Sequence, residues 1–202
     1  FTLGDQAAKL IKIRSELRKE GILENNLRLP RPVDYSRVLV MSPEGAAGLG
    51  DFRREADLLQ RLGLCHFHYL PAVFQGPQSA ESIGQAFGLA LEMIGKQGFD
   101  ALIILRGGGA AADLAWLNEL SIARAVCTFP LPVLVAIGHE RDSTILDEVG
   151  ERYDTPSKAA SHLVSRITQN ALRARENLAF ISSAAKGAAA EASQQVDRFS
   201  GS

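Results

Sequence analysis

Two loops of this sequence carry the side chains best suited to chemistry. One, Gly138-His139-Glu140-Arg141-Asp142, follows an apolar run that ends at Ile137, and the other, Arg106-Gly107-Gly108-Gly109, follows the apolar run 101–105. An imidazole exchanges protons near neutral pH, and a neighbouring carboxylate can orient it or hold a metal ion. An arginine beside glycine N–H groups can bind a phosphate or a carboxylate. The two loops therefore predict anion binding next to an acid–base pair.

Each of these residues also has an ordinary structural interpretation. Asp142 could only cap a helix over residues 143–149, His139 could be a hydrogen-bonded structural residue, and the glycines could only permit a tight turn. Asp51, at the predicted start of a helix, has an N-cap interpretation that weighs as much as a catalytic one. We favour a functional role for His139 and Asp142 because they occur together opposite the Arg-Gly-Gly-Gly loop.

Predicted strands and helices alternate through the middle of the chain. Strands are predicted over residues 37–41, 65–70, 101–105 and 133–137, and helices over 52–62, 79–97, 113–127 and a short stretch after 142. This alternation, with almost wholly apolar strands, predicts an α/β fold with a parallel sheet of about four strands and helices on both faces. Ligands bind beyond the carboxyl ends of such strands. The loops 42–51, 106–109 and 138–144 should therefore meet at one edge.

The chain divides into three predicted segments. Residues 1–34 hold an amphipathic helix, about 5–21, and a linker; residues 35–154 form the α/β domain; residues 155–202 form a long helix. Thr155-Pro156 is a good helix start, and apolar residues then recur at alternating steps of three and four. This heptad pattern predicts the start of a coiled coil or a long antiparallel helix pair, with a single helix lying on the domain as the alternative.

Composition limits the function classes. A chain of 202 residues that is 46% hydrophobic can bury one good core. No apolar run is long enough to span a bilayer, so a cytoplasmic location without membrane association is expected. The chain starts at Phe1, which suggests a fragment of a longer protein. Residues 34–154 hold nine Lys/Arg against sixteen Asp/Glu, which argues against a domain that grips nucleic acid through its own surface.

The cysteines and the remaining histidines are predicted to be structural. Cys65 and Cys127 lie in apolar contexts, which suits small core residues in a reducing compartment better than a disulfide or a zinc site. His66 and His68 alternate on one face of a strand and are expected on the sheet surface. His162 is expected to be a surface residue of the long helix.

Five motifs, in their order and spacing, resemble the large subunit of exodeoxyribonuclease VII. The resemblance covers about residues 8–165, and the helical tail resembles the start of that family's long coiled-coil region. The motifs are Ser42-Pro43-Glu44-Gly45-Ala46-Ala47; Tyr69-Leu70-Pro71 with Val73-Phe74-Gln75-Gly76; Arg106-Gly107-Gly108-Gly109 with Asp113-Leu114 and Asn118; Gly138-His139-Glu140-Arg141-Asp142; and Thr155-Pro156-Ser157 with Ala159-Ala160. The sequence departs from the family where Gly48-Leu49-Gly50 shift Asp51 by one position, and where Arg141 replaces a threonine.

The resemblance implies a nuclease that hydrolyses phosphodiester bonds of single-stranded DNA from the ends and releases short oligonucleotides. It implies partners as well: single-stranded DNA, and a small subunit bound along the coiled coil, with self-association through the long helix as a further option. The family's N-terminal oligonucleotide-binding barrel is not among these residues, which agrees with a fragment. The implied catalytic residues are Asp51, Arg106, His139 and Asp142; the implied phosphate-binding residues are Gly107, Gly108, Gly109 and Ser42; and Asp142 with Asp51 could hold Mg²⁺.

Two other function classes stay open. The same loops could capture a nucleotide or another anion without cleaving it, with the coiled coil serving as an assembly scaffold. In a third interpretation the long helix is the functional part and the sheet is a dimer cap. Tight mononucleotide binding without cleavage of single-stranded DNA would favour the binding module.

Overall fold

Five parallel strands form the centre of the chain, with helices packed on both faces. The structure, a computed structural model, describes residues 3–107, 111–138 and 144–200. The strands are β1 (Arg37–Ser42), β2 (His66–Pro71), β3 (Ala101–Leu105), β4 (Val133–Ala136) and β5 (Glu151–Arg152). The helices are α1 (Leu3–Lys19), α2 (Ala47–Arg61), α3 (Ser79–Lys96), α4 (Ala111–Leu114), α5 (Leu120–Thr128), α6 (Leu146–Val149) and α7 (Pro156–Ser200). A 3₁₀ turn, Ala115–Leu117, follows α4.

The strand order is β2-β1-β3-β4-β5, and each neighbouring pair is parallel. The predicted α/β fold with a long C-terminal helix is therefore confirmed, with one more strand than expected. The sequence does not reveal β5 because it holds only Glu151 and Arg152, without an apolar run. β1 lies between β2 and β3, so the chain runs in opposite directions across the sheet on the two sides of β1. Sheets of this kind bind ligands in the crevice that this reversal creates at the carboxyl ends of the strands.

Two predicted helices differ from the observed ones. The helix predicted over residues 113–127 is interrupted by the 3₁₀ turn, and Asn118 stands at the break, where its Oδ1 accepts a hydrogen bond from the Ile145 N–H (2.8 Å). The helix predicted over 52–62 begins at Ala47. Leu49 packs in the core from this extra helical turn, and its burial stabilises the longer helix. Its end is as expected, since Gly63 follows α2 with a φ of 67°, a conformation that favours glycine.

Alternate side chains of the strands enter two separate apolar layers. One layer joins Leu39 and Ile104 to α1, α3 and α5, and the other joins Val40 and Ile103 to α2 and α7. Strands buried on both faces are what a parallel sheet requires, so their near-continuous apolar composition is explained. Cys65 and Cys127 are core residues, as predicted, and burial raises the pKa of their thiols to about 12 and about 11.

Helix α1 is attached to the domain by an apolar contact and by ion pairs. Leu17 is fully buried in the core. Arg14 donates hydrogen bonds to both carboxylate oxygens of Glu148 (2.6 and 2.7 Å), and Arg124 does the same to Glu20 (2.8 and 2.5 Å). These bidentate contacts fix the helix against α5 and α6, in addition to the apolar burial.

Helix α7 begins on the sheet and continues well beyond it. The Thr155 Oγ1 accepts a hydrogen bond from the Lys158 N–H (3.2 Å), which caps the helix as predicted. Its first turns, from Ala159 to Ile167, pack against α2 and the sheet, whereas residues 171–196 are all exposed. At about 1.5 Å per residue the helix is about 67 Å long. Since its apolar residues beyond the domain, such as Leu178, are exposed, the coiled-coil partner stays a prediction.

No helix in the described ranges is both long enough and apolar enough to cross a membrane.

His162 is not the surface residue that the sequence suggests. Its ring packs against Tyr153, with ring centroids 5.3 Å apart, and edge-on against Tyr35 at 6.2 Å. Glu151 accepts a hydrogen bond from the Tyr153 hydroxyl (2.7 Å) and pairs with Arg31 (3.1 Å). This partly buried cluster joins the linker before β1, strand β5 and the first turns of α7. It therefore fixes the direction in which the long helix leaves the domain.

Acidification should weaken the fold through His162. Burial lowers the pKa of this imidazole below its ordinary value of about 6.5, although Glu151 acts in the opposite direction. The neutral ring is favoured in the folded chain, so its stabilising contribution is complete above pH 6.5 and is lost as the pH falls through the lowered folded pKa. In urea titrations between pH 7.5 and 5, a His162→Phe variant should lose less stability than the wild type. The control, His66→Phe at an exposed site, should keep the wild-type pH dependence.

Candidate functional site

A cavity of about 490 Å³ lies at the crevice between the carboxyl ends of β1 and β3. Its walls come from residues 43–46 after β1, residues 71–75 after β2, Arg106 and Gly107 after β3, and Ser82 of α3. Pockets for small molecules and cofactors have volumes of about 300–1,000 Å³. The cavity is therefore large enough for a ligand such as one nucleotide, and it lies at the edge where the sequence predicts a site.

Arg106 supplies the positive charge of this cavity. Its side chain is only 4% exposed, and burial lowers its pKa while Asp113 raises it. The Arg106 Nη2 lies 3.3 Å from the Asp113 Oδ2, and the same oxygen accepts a hydrogen bond from the Gln75 Nε2 (2.8 Å). A guanidinium carries five N–H donors and keeps its charge in proteins. Asp113 thus holds the group in place while donors remain for an anion in the cavity.

The partners of Arg106 are not evident from the sequence. Asp113 belongs to a quoted motif but has no assigned role there, and Gln75 follows a different strand. Asp113 lies seven positions after Arg106, at the predicted start of the next helix. An aspartate at such a place is equally typical of an N-cap. Only the three-dimensional structure shows that one carboxylate links the loops after β2 and β3.

The loops after β3 and β4 start side by side. Leu105 pairs with Ala136 in the sheet register, and the Arg106 N–H donates a hydrogen bond to the Ala136 carbonyl (3.0 Å). The loop that contains His139 therefore leaves the sheet directly next to Arg106. This neighbourhood was expected from the sequence, because both loops follow strands of one parallel sheet.

Glycines permit a close approach between the start of α2 and the loop after β3. A Cβ built at Gly48 would lie 2.8 Å from the Gly107 Cα and 2.5 Å from the Pro156 Cγ, and one built at Gly107 would lie 2.4 Å from the Gly48 Cα. Real Cβ atoms do not come this close to backbone. Glycine at both positions therefore lets the start of α2, the exit of β3 and the start of α7 meet next to the cavity, which Gly107 lines.

A Gly48→Ala substitution should destabilise the protein by about 1–3 kcal/mol, because the added methyl group must displace backbone atoms in a packed interior. Gly50, in the same helix, provides the matched control, since a Cβ there meets nothing within 4 Å. Gly50→Ala should stabilise the protein by about 0.5–1 kcal/mol through helix propensity. Urea denaturation of both variants measures the difference. A Gly48→Ala variant as stable as the Gly50→Ala variant would refute the close contact.

Asp51 lies in α2, four residues after the first residue of the helix, so its predicted N-cap position is wrong. The cause is the burial of Leu49, which brings the preceding turn into the helix. The Asp51 side chain is 47% exposed and forms an ion pair with Arg54, one helical turn away. It is not among the lining residues of the cavity at Arg106. The structure thus places Asp51 on the surface of the helix that borders the crevice.

Ser42 is buried at the carboxyl end of β1, where its carbonyl accepts a hydrogen bond from the Ala72 N–H (3.1 Å). It does not line the cavity at Arg106 but a smaller, neighbouring cavity on the other side of residues 43–46. The expectation that Ser42 binds phosphate therefore concerns this second cavity.

Gly108, Gly109, His139 and Asp142 lie outside the described residues. The chain is fixed on both sides of the histidine loop, because Ile137 is 3% exposed and Thr144 is fully buried. The Thr144 N–H and hydroxyl both donate to the Asp147 carboxylate (2.7 and 3.0 Å). Burial raises the pKa of Asp147, and these two hydrogen bonds oppose that effect.

Metal-binding potential is limited in the described part of the chain. Across residues 3–107, 111–138 and 144–200, no three His, Cys, Asp or Glu side chains gather in a way that could hold a metal ion. His66 is exposed, and the ring of His68 packs edge-on against Phe99 with centroids 5.1 Å apart, which places both on the surface of the edge strand. Asp51 has a half-exposed carboxylate, the kind of ligand that Mg²⁺ prefers, and one of its oxygens pairs with Arg54.

Comparison with known proteins connects these features to one family. A family model described as "Exonuclease VII, large subunit" matches residues 22–202. That range includes the sheet, both cavities and helix α7.

Individual relatives carry a matching name. The exodeoxyribonuclease 7 large subunit of Deinococcus radiodurans is 51% identical over 177 residues, which are 87% of this chain and 42% of the relative. Those of Lacticaseibacillus casei and Pseudomonas aeruginosa are 35% and 36% identical over 78% and 79% of this chain. The chain spans about two fifths or less of the length of these relatives. The family model matches residues 22–202, and most of the residues that line the cavity at Arg106 come from the sequence motifs that resemble this family. The chain belongs to the exonuclease VII large-subunit family.

Proposed function

We propose that this chain carries the nuclease site of an exonuclease VII large subunit, which hydrolyses phosphodiester bonds of single-stranded DNA from the ends and gives short oligonucleotides. The observation that carries the proposal is the buried Arg106 in a nucleotide-sized cavity at the β1/β3 crevice. An arginine is well matched to phosphate because its planar fork forms two parallel hydrogen bonds.

The proposed catalytic residues have distinct roles. Arg106 and the N–H groups of residues 107–109 hold the scissile phosphate and stabilise the charge that develops on its oxygens. His139 acts as general base or general acid, and Asp142 orients it. Asp51, on the surface of the helix that borders the crevice, is proposed to support this group once it leaves its weak ion pair with Arg54.

Mg²⁺ is a proposed cofactor, held by the carboxylates of Asp142 and Asp51. When bound, such an ion neutralises charge on phosphate oxygens. The half-exposed Asp51 carboxylate suits this ion, and Asp142 lies outside the described residues. Cleavage rates in Mg²⁺ and in EDTA test this part of the proposal.

The small subunit of the family is the proposed partner of α7, together with self-association through the same helix. Support comes from the heptad pattern and from the exposure of residues 171–196, which leaves apolar side chains such as Phe180 (75% exposed) without cover from the described residues. A cytoplasmic location is proposed on the same family grounds.

The experiment that tests the function is a cleavage assay on the complete large subunit assembled with its small subunit. End-labelled single-stranded DNA should yield short, acid-soluble oligonucleotides, and the matching duplex should resist. The sheet domain alone should be weakly active or inactive, because its acidic surface gives little affinity for phosphates.

A non-catalytic binding module is the alternative, favoured by the anion-binding character of the Arg106 cavity alone. Isothermal titration with deoxymononucleotides separates the two. Tight binding without any cleavage by the complete enzyme would support the module and contradict the nuclease. Cleavage with weak mononucleotide affinity would support the nuclease.

A further inference from the structure

A second cavity, of about 310 Å³, adjoins the one at Arg106. The two share Glu44, Gly45 and Pro71 among their lining residues, so they lie side by side. The second cavity is further lined by Ser42, Leu49, Arg53 and Tyr69. None of the motifs' implied roles involves Arg53 or Tyr69.

The polar groups of this cavity are mostly donors. The Arg53 guanidinium lies over the Tyr69 ring, 4.4 Å from its centroid, a cation–π arrangement that holds the charge at the cavity wall. Arg53 takes part in none of the ion pairs found among residues 3–107, 111–138 and 144–200. Its charge is therefore not neutralised by a direct carboxylate contact from these residues.

The Tyr69 hydroxyl oxygen is buried and has no hydrogen-bond partner of adequate geometry within the described part of the chain. Burial raises the pKa of this phenol, and Asp57 acts in the same direction while Arg53 opposes it. The hydroxyl therefore keeps its proton at neutral pH. A buried hydroxyl without a partner costs free energy, and a bound acceptor relieves this cost if the neighbouring side chains move aside on binding.

Glu44 is the group that opposes an anion here, because its carboxylate belongs to the wall that both cavities share. Its side chain is exposed and can turn towards solvent. When it faces solvent, water and salt screen its carboxylate from a phosphate bound in either cavity.

We propose that the second cavity is a phosphate subsite, in which Arg53 and the Tyr69 hydroxyl hold the phosphodiester adjacent to the one at Arg106. This assignment rests on the proposed nuclease function and extends it to a neighbouring nucleotide. It also gives Ser42, which lines this cavity, a place beside a phosphate. The site recognises a backbone phosphate rather than a base, so it acts on any sequence.

The test uses Arg53→Ala and Tyr69→Phe in the complete enzyme, with Arg61→Ala as the control. Arg61 is an exposed arginine in the last turn of the same helix, away from the cavity. Affinity for a single-stranded oligonucleotide should fall about tenfold in Arg53→Ala and about threefold in Tyr69→Phe, which keeps the ring under Arg53. The dependence of log affinity on log salt concentration should become shallower by about 0.7 in Arg53→Ala, as expected for one lost phosphate contact on a single strand.

A scan with single methylphosphonates, which replace one charged phosphate by a neutral group, identifies the phosphate. At one position beside the cleaved bond, the methylphosphonate should lower the affinity of the wild type. The same oligonucleotide should bind Arg53→Ala as tightly as the unmodified one does. If Arg53→Ala matches Arg61→Ala in affinity and salt dependence while the wild type cleaves DNA, the subsite is wrong and the nuclease function stands. If the wild type does not cleave single-stranded DNA, the nuclease function is wrong and the subsite with it.

Discussion

Replacing Arg106 by alanine should lower kcat/KM for single-stranded DNA by about 10²- to 10³-fold, the usual cost of losing one donor that stabilises charge in a transition state. The guanidinium lines the cavity at the crevice, and Asp113 and Gln75 fix its position. Arg106→Lys should recover only part of the activity, because an ammonium keeps the charge but cannot form the planar, two-pronged contact with phosphate. Steady-state cleavage of an end-labelled oligonucleotide measures both variants.

The matched control is Arg124→Ala. This arginine also forms a bidentate ion pair, with Glu20, but it joins α5 to α1 and does not line the cavity. Its removal should leave kcat/KM near the wild-type value. Circular dichroism and thermal unfolding of the Arg106 variants separate loss of chemistry from loss of fold. A folded Arg106→Ala enzyme with wild-type kcat/KM would remove Arg106 from the site.

His139→Ala should abolish the release of acid-soluble product, with a loss of about 10²- to 10⁴-fold in kcat, as expected for a general acid or base. The fold should survive, because the buried residues Ile137 and Thr144 on either side of the loop remain. The pH dependence of the activity that remains should differ from that of the wild type, since the proposed acid–base group is gone. A pH–rate profile of the variant and the wild type gives this comparison.

His66→Ala is the control for the histidine variant, because His66 is exposed on the edge strand β2. Its rate and pH profile should match the wild type. Turnover of the His139→Ala enzyme at the wild-type rate would exclude His139 as the acid–base residue, and a lost rate with an unchanged pH profile would make it a positioning residue.

The fold was largely predictable from the sequence, because the apolar runs became parallel strands, buried in β1, β3 and β4 and half-buried in the edge strand β2. Loops after neighbouring strands then had to meet, as Arg106 and the residues after Ala136 do. β5 was not predictable, because a two-residue strand contains no periodicity to detect. The place of His162 was not predictable either, since its partners Tyr35 and Tyr153 come from the linker and from the residues after β5.

The candidate site was only partly predictable for the same physical reason. Residue types and their place after a strand pointed to Arg106, but its hydrogen-bonded partners come from two other segments of the chain. The start of α2 was misplaced because Gly48 and Gly50 have poor helix propensity, whereas burial of Leu49 outweighs that preference. The partners of Arg106 and the start of α2 both depend on tertiary packing, which local sequence patterns do not indicate.

We expect the β1/β3 crevice to hold the scissile phosphate of single-stranded DNA. The most direct test is a crystal structure of the complete enzyme with a phosphorothioate oligonucleotide that resists cleavage. We expect a backbone phosphate within hydrogen-bond distance of the Arg106 guanidinium, in the cavity between residues 43–46 and 71–75. An oligonucleotide bound in a cleavable register with its phosphates elsewhere, and with this cavity free of DNA, would contradict it.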